Sequence, residues 1–117
     1  MCGIAGKIYF HGRKIKTNQE IPRIETTLQK LQHRGPDNKD YVISDNIWLA
    51  ATRLAIIDLS PAGHQPMKNE DGSLLLVFNG EIYNYLELKR RLLRKHKFIS
   101  KTDAEVVLHL YEEYGVD

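Results

Sequence analysis

Cys2–Gly3–Ile4–Ala5–Gly6–Lys7–Ile8–Tyr9–Phe10 is the stretch on which the reading of this chain turns. Ile4, Ile8 and Phe10 recur on one face of an extended segment, and Gly3 and Gly6 allow another backbone to come close, so residues 2–10 are expected to form a strand. The strand starts at the only cysteine, directly after Met1. Methionine ahead of a small residue is commonly removed, which would leave Cys2 with a free α-amine beside its thiol. Such an amine titrates at about 7.7–8.0, so near neutral pH it accepts the thiol proton directly or through water, and no histidine is required. The opposing reading is a small hydrophobe in a first strand, as most lone cysteines are.

Outward from there, helical and extended patterns alternate. His11–Asn18 is polar and turn-like. Pro22 suits the first turn of a helix, where its missing N–H costs little, and Ile24, Leu28 and Leu31 continue at helical spacing. Pro36 stops that helix and makes His33–Arg34–Gly35–Pro36–Asp37 a loop. Tyr41–Ser44 and Ile47–Ile57, around Asp45–Asn46, read as a hairpin. Asp58–Gly72 is a long loop, and Ser73–Phe78 a buried strand ending at Asn79–Gly80. Tyr85, Leu88 and Leu92 make a helical stripe. Thr102 with Glu105 matches a capping box opening a helix with Val106, Val107, Leu110 and Tyr114 on its apolar face, closed by Gly115. The sum is one α+β domain over residues 1–117, without repeat or linker.

With 117 residues, 42% hydrophobic and 27% charged, the composition is that of a single globular domain rather than a disordered chain. No apolar run approaches the ~20 residues of a membrane span, and no segment reads as a secretory signal, so a cytoplasmic protein without a membrane partner is expected. One cysteine makes no internal disulfide, and no Cys/His set has zinc spacing, so no metal is expected. A net charge of +2 does not point to nucleic acid. The only basic cluster, Lys89–Lys97, is interrupted by Leu92–Leu93 and lacks interleaved aromatics; it reads as a solvated helix face rather than a patch for nucleic acid.

Several motifs then fall into line. Cys2–Gly3–Ile4–Ala5–Gly6 resembles the N-terminal signature of class II glutamine amidotransferases, a branch of the N-terminal nucleophile hydrolases. His33–Arg34–Gly35–Pro36–Asp37 resembles the HRGPD loop of the asparagine synthetase branch, and Arg53–Leu54–Ala55–Ile56–Ile57–Asp58 its RLAIID segment. Gly63–His64–Gln65–Pro66–Met67, Phe78–Asn79–Gly80–Glu81–Ile82–Tyr83–Asn84 and Ser100–Lys101–Thr102–Asp103–Ala104–Glu105 are similar to its GHQPM, FNGEIYN and S-x-TD-x-E blocks, in order and at compatible spacing. The resemblance, to the N-terminal glutaminase domain of glutamine-hydrolysing asparagine synthetases or a close relative, implies an αββα sandwich of two antiparallel sheets between helices. That family's later strands, and its synthetase domain with ATP, magnesium and aspartate, follow the matched region. An incomplete sandwich with no cofactor of its own is therefore expected.

The resemblance also implies roles. Cys2 attacks the side-chain amide of glutamine, while the Asn79 amide and the Gly80 N–H hold the oxyanion; taken alone, an Asn-Gly pair also signals a hairpin turn. Arg53 pairs with the substrate α-carboxylate, the alternative being an Arg on the solvated face of a strand. The backbone of Arg53, Leu54, Ala55, Ile56 and Ile57 lines the glutamine pocket. Asp103, assisted by Glu81, takes the α-ammonium, though Asp103 equally suits a helix start. His33 and Arg34 either shape a loop or touch substrate, and His64 belongs to a structural loop. The reading is a glutaminase supplying ammonia for asparagine synthesis, partnered by a synthetase domain, another chain or a second copy of itself. Its alternative is an inactive module that binds glutamine or a partner.

Overall fold

The computed structural model describes residues 1–116. In chain order it contains β1 (Gly3–Ile8), α1 (Thr17–Leu31), β2 (Asn38–Ser44), β3 (Ile47–Arg53), β4 (Met67–Lys68), β5 (Leu75–Leu76), α2 (Tyr85–Leu92) and α3 (Ala104–Tyr114), with 3-10 turns at Gln32–Arg34 and Pro61–Gly63. The expected mixture of helices and strands is found. It divides into an antiparallel sheet β1–β3–β2 backed by α1, and a short β4–β5 ladder against α3, on which α2 packs.

The Asp45–Asn46 turn closes the β2–β3 hairpin, with Asp45 at a φ of 42°. β1 pairs with the other edge of β3, Gly3 opposite Thr52 and Ile8 opposite Ile47. Trp48 and Ala50 thus share a face with Ala5, Tyr41 and Ile43, and Ile24 and Leu28 of α1 pack onto it. Burying one aliphatic side chain of that size stabilises by about 1.5–3 kcal/mol. Ile4 and Ile8 do share a face, but it is the outer one, where they remain 46% and 47% exposed. The helix lies over the side of β1 that carries Gly3 and Ala5. A Cβ on Gly3 would stand 3.0 Å from Leu31 Cβ, so only a strand of small residues lets α1 come this close.

Glu20 is buried beneath this layer and accepts hydrogen bonds from Lys7 Nζ (3.1 Å), Tyr9 Oη (2.9 Å), Arg23 Nη1 (2.9 Å) and Trp48 Nε1 (3.0 Å). Burial alone would raise its pKa; the bonds from Lys7, Trp48 and Tyr9 outweigh it and bring the carboxyl down to about 2.

Four local expectations are corrected. α1 begins at Thr17, so Pro22 lies in its second turn; the hydrogen bond Pro22 cannot donate would have reached the carbonyl of Asn18, an exposed residue. β3 ends at Arg53 rather than continuing to Ile57, because the next two N–H groups are taken by side chains, Leu54 by Cys2 Sγ and Ala55 by Asp37 Oδ2. Of Ser73–Phe78 only Leu75–Leu76 pair as strand, half-buried; Leu74, Leu76 and Phe78 point to Met67, Ala104 and Leu108. The capping box does not form. Glu105 instead accepts from the N–H groups of Ile99 and Ser100, and α3 buries Ala104, Glu105, Val106, Leu108 and His109 while Tyr114 stays exposed. Gly115, at a φ of 69°, closes α3 as expected.

Candidate active site

The two layers meet at a cavity of about 180 Å³, whose lining includes Cys2, Arg53, Leu54, Ile56, Ile57, Asn79, Gly80, Glu81 and Asp103. Every sequence-predicted site residue except Ala55 is among them. Ala55 is turned to the adjoining loop, its N–H donating to Asp37 Oδ2 at 2.8 Å. The cleft thus draws on the start of β1, the end of β3, the loop that follows it, the segment after β5 and the start of α3.

Cys2 is half-buried, with Sγ 3.4 Å from the donating N–H of Leu54 and 3.9 Å from the Leu54 carbonyl. Its backbone is held from two sides. Arg34 Nε donates to the Cys2 carbonyl at 3.2 Å, and the next amide, Gly3 N–H, donates to Thr52 Oγ1, which in turn donates to the Leu31 carbonyl. The loop carrying Arg34 can lie here because Gly35 has no side chain: a Cβ there would be 2.5 Å from Arg53 N. Arg34 therefore positions the cysteine, and His33 Nδ1 bonds the Lys30 carbonyl at the end of α1. Both side chains are thus bonded to backbone on either side of the loop.

Arg53 is buried and not on a solvated strand face. Its guanidinium donates to the carbonyls of Asp58 and, at 3.4 Å, Ser60, so the loop after β3 curls around it. Gly63 completes the cradle, since a Cβ there would fall 2.3 Å from Arg53 Nη2. Asp103 is buried at the start of α3, with Oδ2 accepting the Ile82 N–H at 2.8 Å. That bond ties α3 to the segment holding Asn79, Gly80 and Glu81, which are exposed at the rim. Asn79–Gly80 is not a hairpin turn, because the chain runs on into α2 rather than back along β5.

Sequence reasoning missed the residues that brace this arrangement. Asp58 accepts the N–H groups of Lys101 (2.8 Å) and Ser60 (2.9 Å), joining the Arg53 loop to the α3 start; these bonds bring its carboxyl down to about 2. Gln65 Oε1 accepts the Phe78 N–H at 2.6 Å. Their only signal was membership of the quoted motifs, because a bond between residues 43 positions apart leaves no local pattern. His64 is half-buried in the loop near Gly63, in keeping with a structural place. Outside this cleft, one ligating atom each of Glu70, His96 and His109 lies within 4.8 Å of the others, a proximity that no sequence spacing signals.

A family model described as a glutamine amidotransferase domain matches residues 1–117. The chain belongs to the glutamine amidotransferase domain family. Among curated relatives, it is 43% identical over 117 residues to a glutamine-hydrolyzing asparagine synthetase of Arabidopsis thaliana, covering 100% of this chain and 19% of that protein. It is 42% identical to one from Bacillus subtilis, covering 99% of this chain and 15% of that protein. It is also 41% identical to "Amidase chry2" of Gibberella zeae, over 99% of this chain and 18% of that protein. The chain thus spans less than a fifth of these relatives, and the likeness to the glutamine-hydrolysing part of asparagine synthetases read from the motifs is borne out. Among the described residues of this amidotransferase domain, no helix is long and apolar enough to cross a membrane.

Proposed function

We propose that the chain is a glutaminase module that releases ammonia from the side chain of glutamine. The observation that carries this is the single cleft gathering one thiol, one guanidinium, two carboxylates and two amide donors. One cation and two anions suit a zwitterionic amino acid, leaving its neutral amide to face Cys2. With Met1 attached, the Cys2 nitrogen is an amide and has no basicity; its removal leaves an α-amine that takes the thiol proton.

Sulfur then attacks the amide carbon of glutamine, and the carbonyl oxygen becomes an oxyanion held by the Asn79 side-chain N–H and the Gly80 N–H. Each such donor is worth about 10²–10³ in rate. Collapse breaks the C–N bond, the Cys2 ammonium returns its proton to the leaving nitrogen, and ammonia departs. Water attacks the γ-glutamyl thioester, giving glutamate and restoring the thiol. Arg53 pairs with the α-carboxylate, and Asp103 and Glu81 with the α-ammonium. No step calls for a cofactor; ATP and magnesium belong with a synthetase domain that uses the ammonia, on aspartate if this chain follows its asparagine synthetase relatives.

The exposed apolar face of Ile4 and Ile8 supports an αββα sandwich, in which a second sheet covers it. The same face favours a second reading, a module that binds glutamine or a partner chain without turnover. Ammonia release from glutamine, with intact mass read on the same sample, separates the two. Loss of Met1 with turnover abolished in Cys2→Ala is expected. Turnover that survives Cys2→Ala overturns the mechanism, and glutamine binding by the Met1-free chain without turnover leaves the second reading.

A further inference from the structure

Away from the cleft, Glu70, His96 and His109 converge where the β4–β5 loop, the segment after α2 and the middle of α3 meet. One ligating atom from each lies within 4.8 Å of the other two. His109 is 1% exposed and the His96 side chain 9%. His109 Nδ1 bonds to Glu112 Oε2 at 2.8 Å, and His96 Nε2 to Glu113 Oε1 at 2.9 Å. Carboxylates only accept, so these ring nitrogens carry the protons. The other nitrogen of each ring, His96 Nδ1 and His109 Nε2, is buried and without a hydrogen-bond partner.

What faces those nitrogens makes the arrangement unusual. Glu70 Oε2 and Glu112 Oε2 are 3.8 and 3.3 Å from His96 Nδ1, and Glu105 Oε1 is 3.7 Å from His109 Nε2. In neutral rings, acceptors there meet acceptors, which is costly at buried positions. One added proton would serve only one of the two rings, and protonating both would place two cations in contact, because the ring centroids are 4.6 Å apart. A single metal cation satisfies all the lone pairs at once.

We propose that Glu70, His96 and His109 form a site for a divalent transition-metal ion of the zinc class. Two imidazole nitrogens and a carboxylate oxygen are a donor set for zinc, with water in the fourth tetrahedral position. Bonds of about 2.0–2.1 Å place tetrahedral ligands about 3.3 Å apart, so any pair must close by up to about 1.5 Å, within reach of side-chain rotation. The Glu112 and Glu113 carboxylates hold the two rings by their far nitrogens, the usual supporting shell of a histidine-bound metal. The ion clamps three segments of the α3 layer together, behind the helix whose first residues carry Asp103 into the cleft. No metal spacing is visible in the sequence because the ligands are 26 and 13 residues apart, on three different elements.

The test is zinc chloride titrated into chelator-stripped chain in competition with a chromophoric chelator, with cobalt(II) absorption reporting geometry. One equivalent bound, a four-coordinate cobalt spectrum and a raised Tm are expected. His96→Gln should abolish binding and Glu113→Gln weaken it about 10–100-fold. Glu70→Gln, a surface change that retains an oxygen for the Lys97 N–H, should weaken binding in a chain that is still folded. Absence of zinc binding overturns the proposal. So does binding that survives Glu70→Gln and His96→Gln but disappears in Cys2→Ala.

Discussion

Gly63→Ala puts the role assigned to Arg53 under direct strain. The new Cβ would stand 2.3 Å from Arg53 Nη2 and 2.7 Å from Cζ, so the guanidinium must retreat by about 1.1 Å to reach ordinary contact at 3.4 Å. It cannot do so freely, because the Asp58 and Ser60 carbonyls hold it. A shift of that size removes the alignment needed for paired bonds to a carboxylate. Losing one charge-assisted bond costs about 1.5–3 kcal/mol, which corresponds to about 10- to 150-fold in kcat/KM for glutamine. The assay is ammonia release, alongside the rate at which a thiol-reactive glutamine analogue alkylates Cys2, read by intact mass. Wild type should discriminate against an analogue whose α-carboxylate is amidated, and Gly63→Ala should largely lose that discrimination. A folded variant with kcat/KM within about twofold of wild type would refute the placement of the α-carboxylate on Arg53.

Arg34→Gln removes the bond to the Cys2 carbonyl, so alkylation by the glutamine analogue should slow several-fold while a small neutral alkylating agent reacts at an unchanged rate; equal slowing of both would contradict a positioning role. The Glu20 carboxyl lies near 2 in the folded chain against an ordinary 4.5. Its contribution is therefore complete above about pH 4.5 and lost as pH falls toward 2. Glu20→Gln should lower stability at pH 7 and flatten the acid limb of a denaturation profile over that window, and an unchanged limb would show that another carboxyl controls it.

Most elements were legible because each rests on a short-range regularity. Ile24 and Leu28 repeat at helical spacing and bury; Asp45–Asn46 turns a hairpin; Gly115 takes the positive φ that ends α3. The errors arose where a group outside the local pattern took the hydrogen bond that the pattern assigns elsewhere. Thr102 and Glu105 have capping-box spacing, yet the Glu105 carboxylate is engaged by Ile99 and Ser100. Leu54 and Ala55 continue an apolar run, yet their N–H groups go to Cys2 and Asp37, and the strand stops.

The sequence by itself determined the family, the amphipathic helices and many of the residues that meet in the cleft. Motif order is a property of the chain, and hydrophobic period is set by the geometry of one element. Only the tertiary structure decided which face of β1 meets α1, why Gly35 must be a glycine and Gly63 sits tight against Arg53, and how Asp58 braces the loop that cradles Arg53. It alone brought Glu70, His96 and His109 together. Each of these depends on contacts between segments far apart along the chain, and such contacts exist only once burial of Ile24, Leu28, Met67 and Leu108 has brought those segments together.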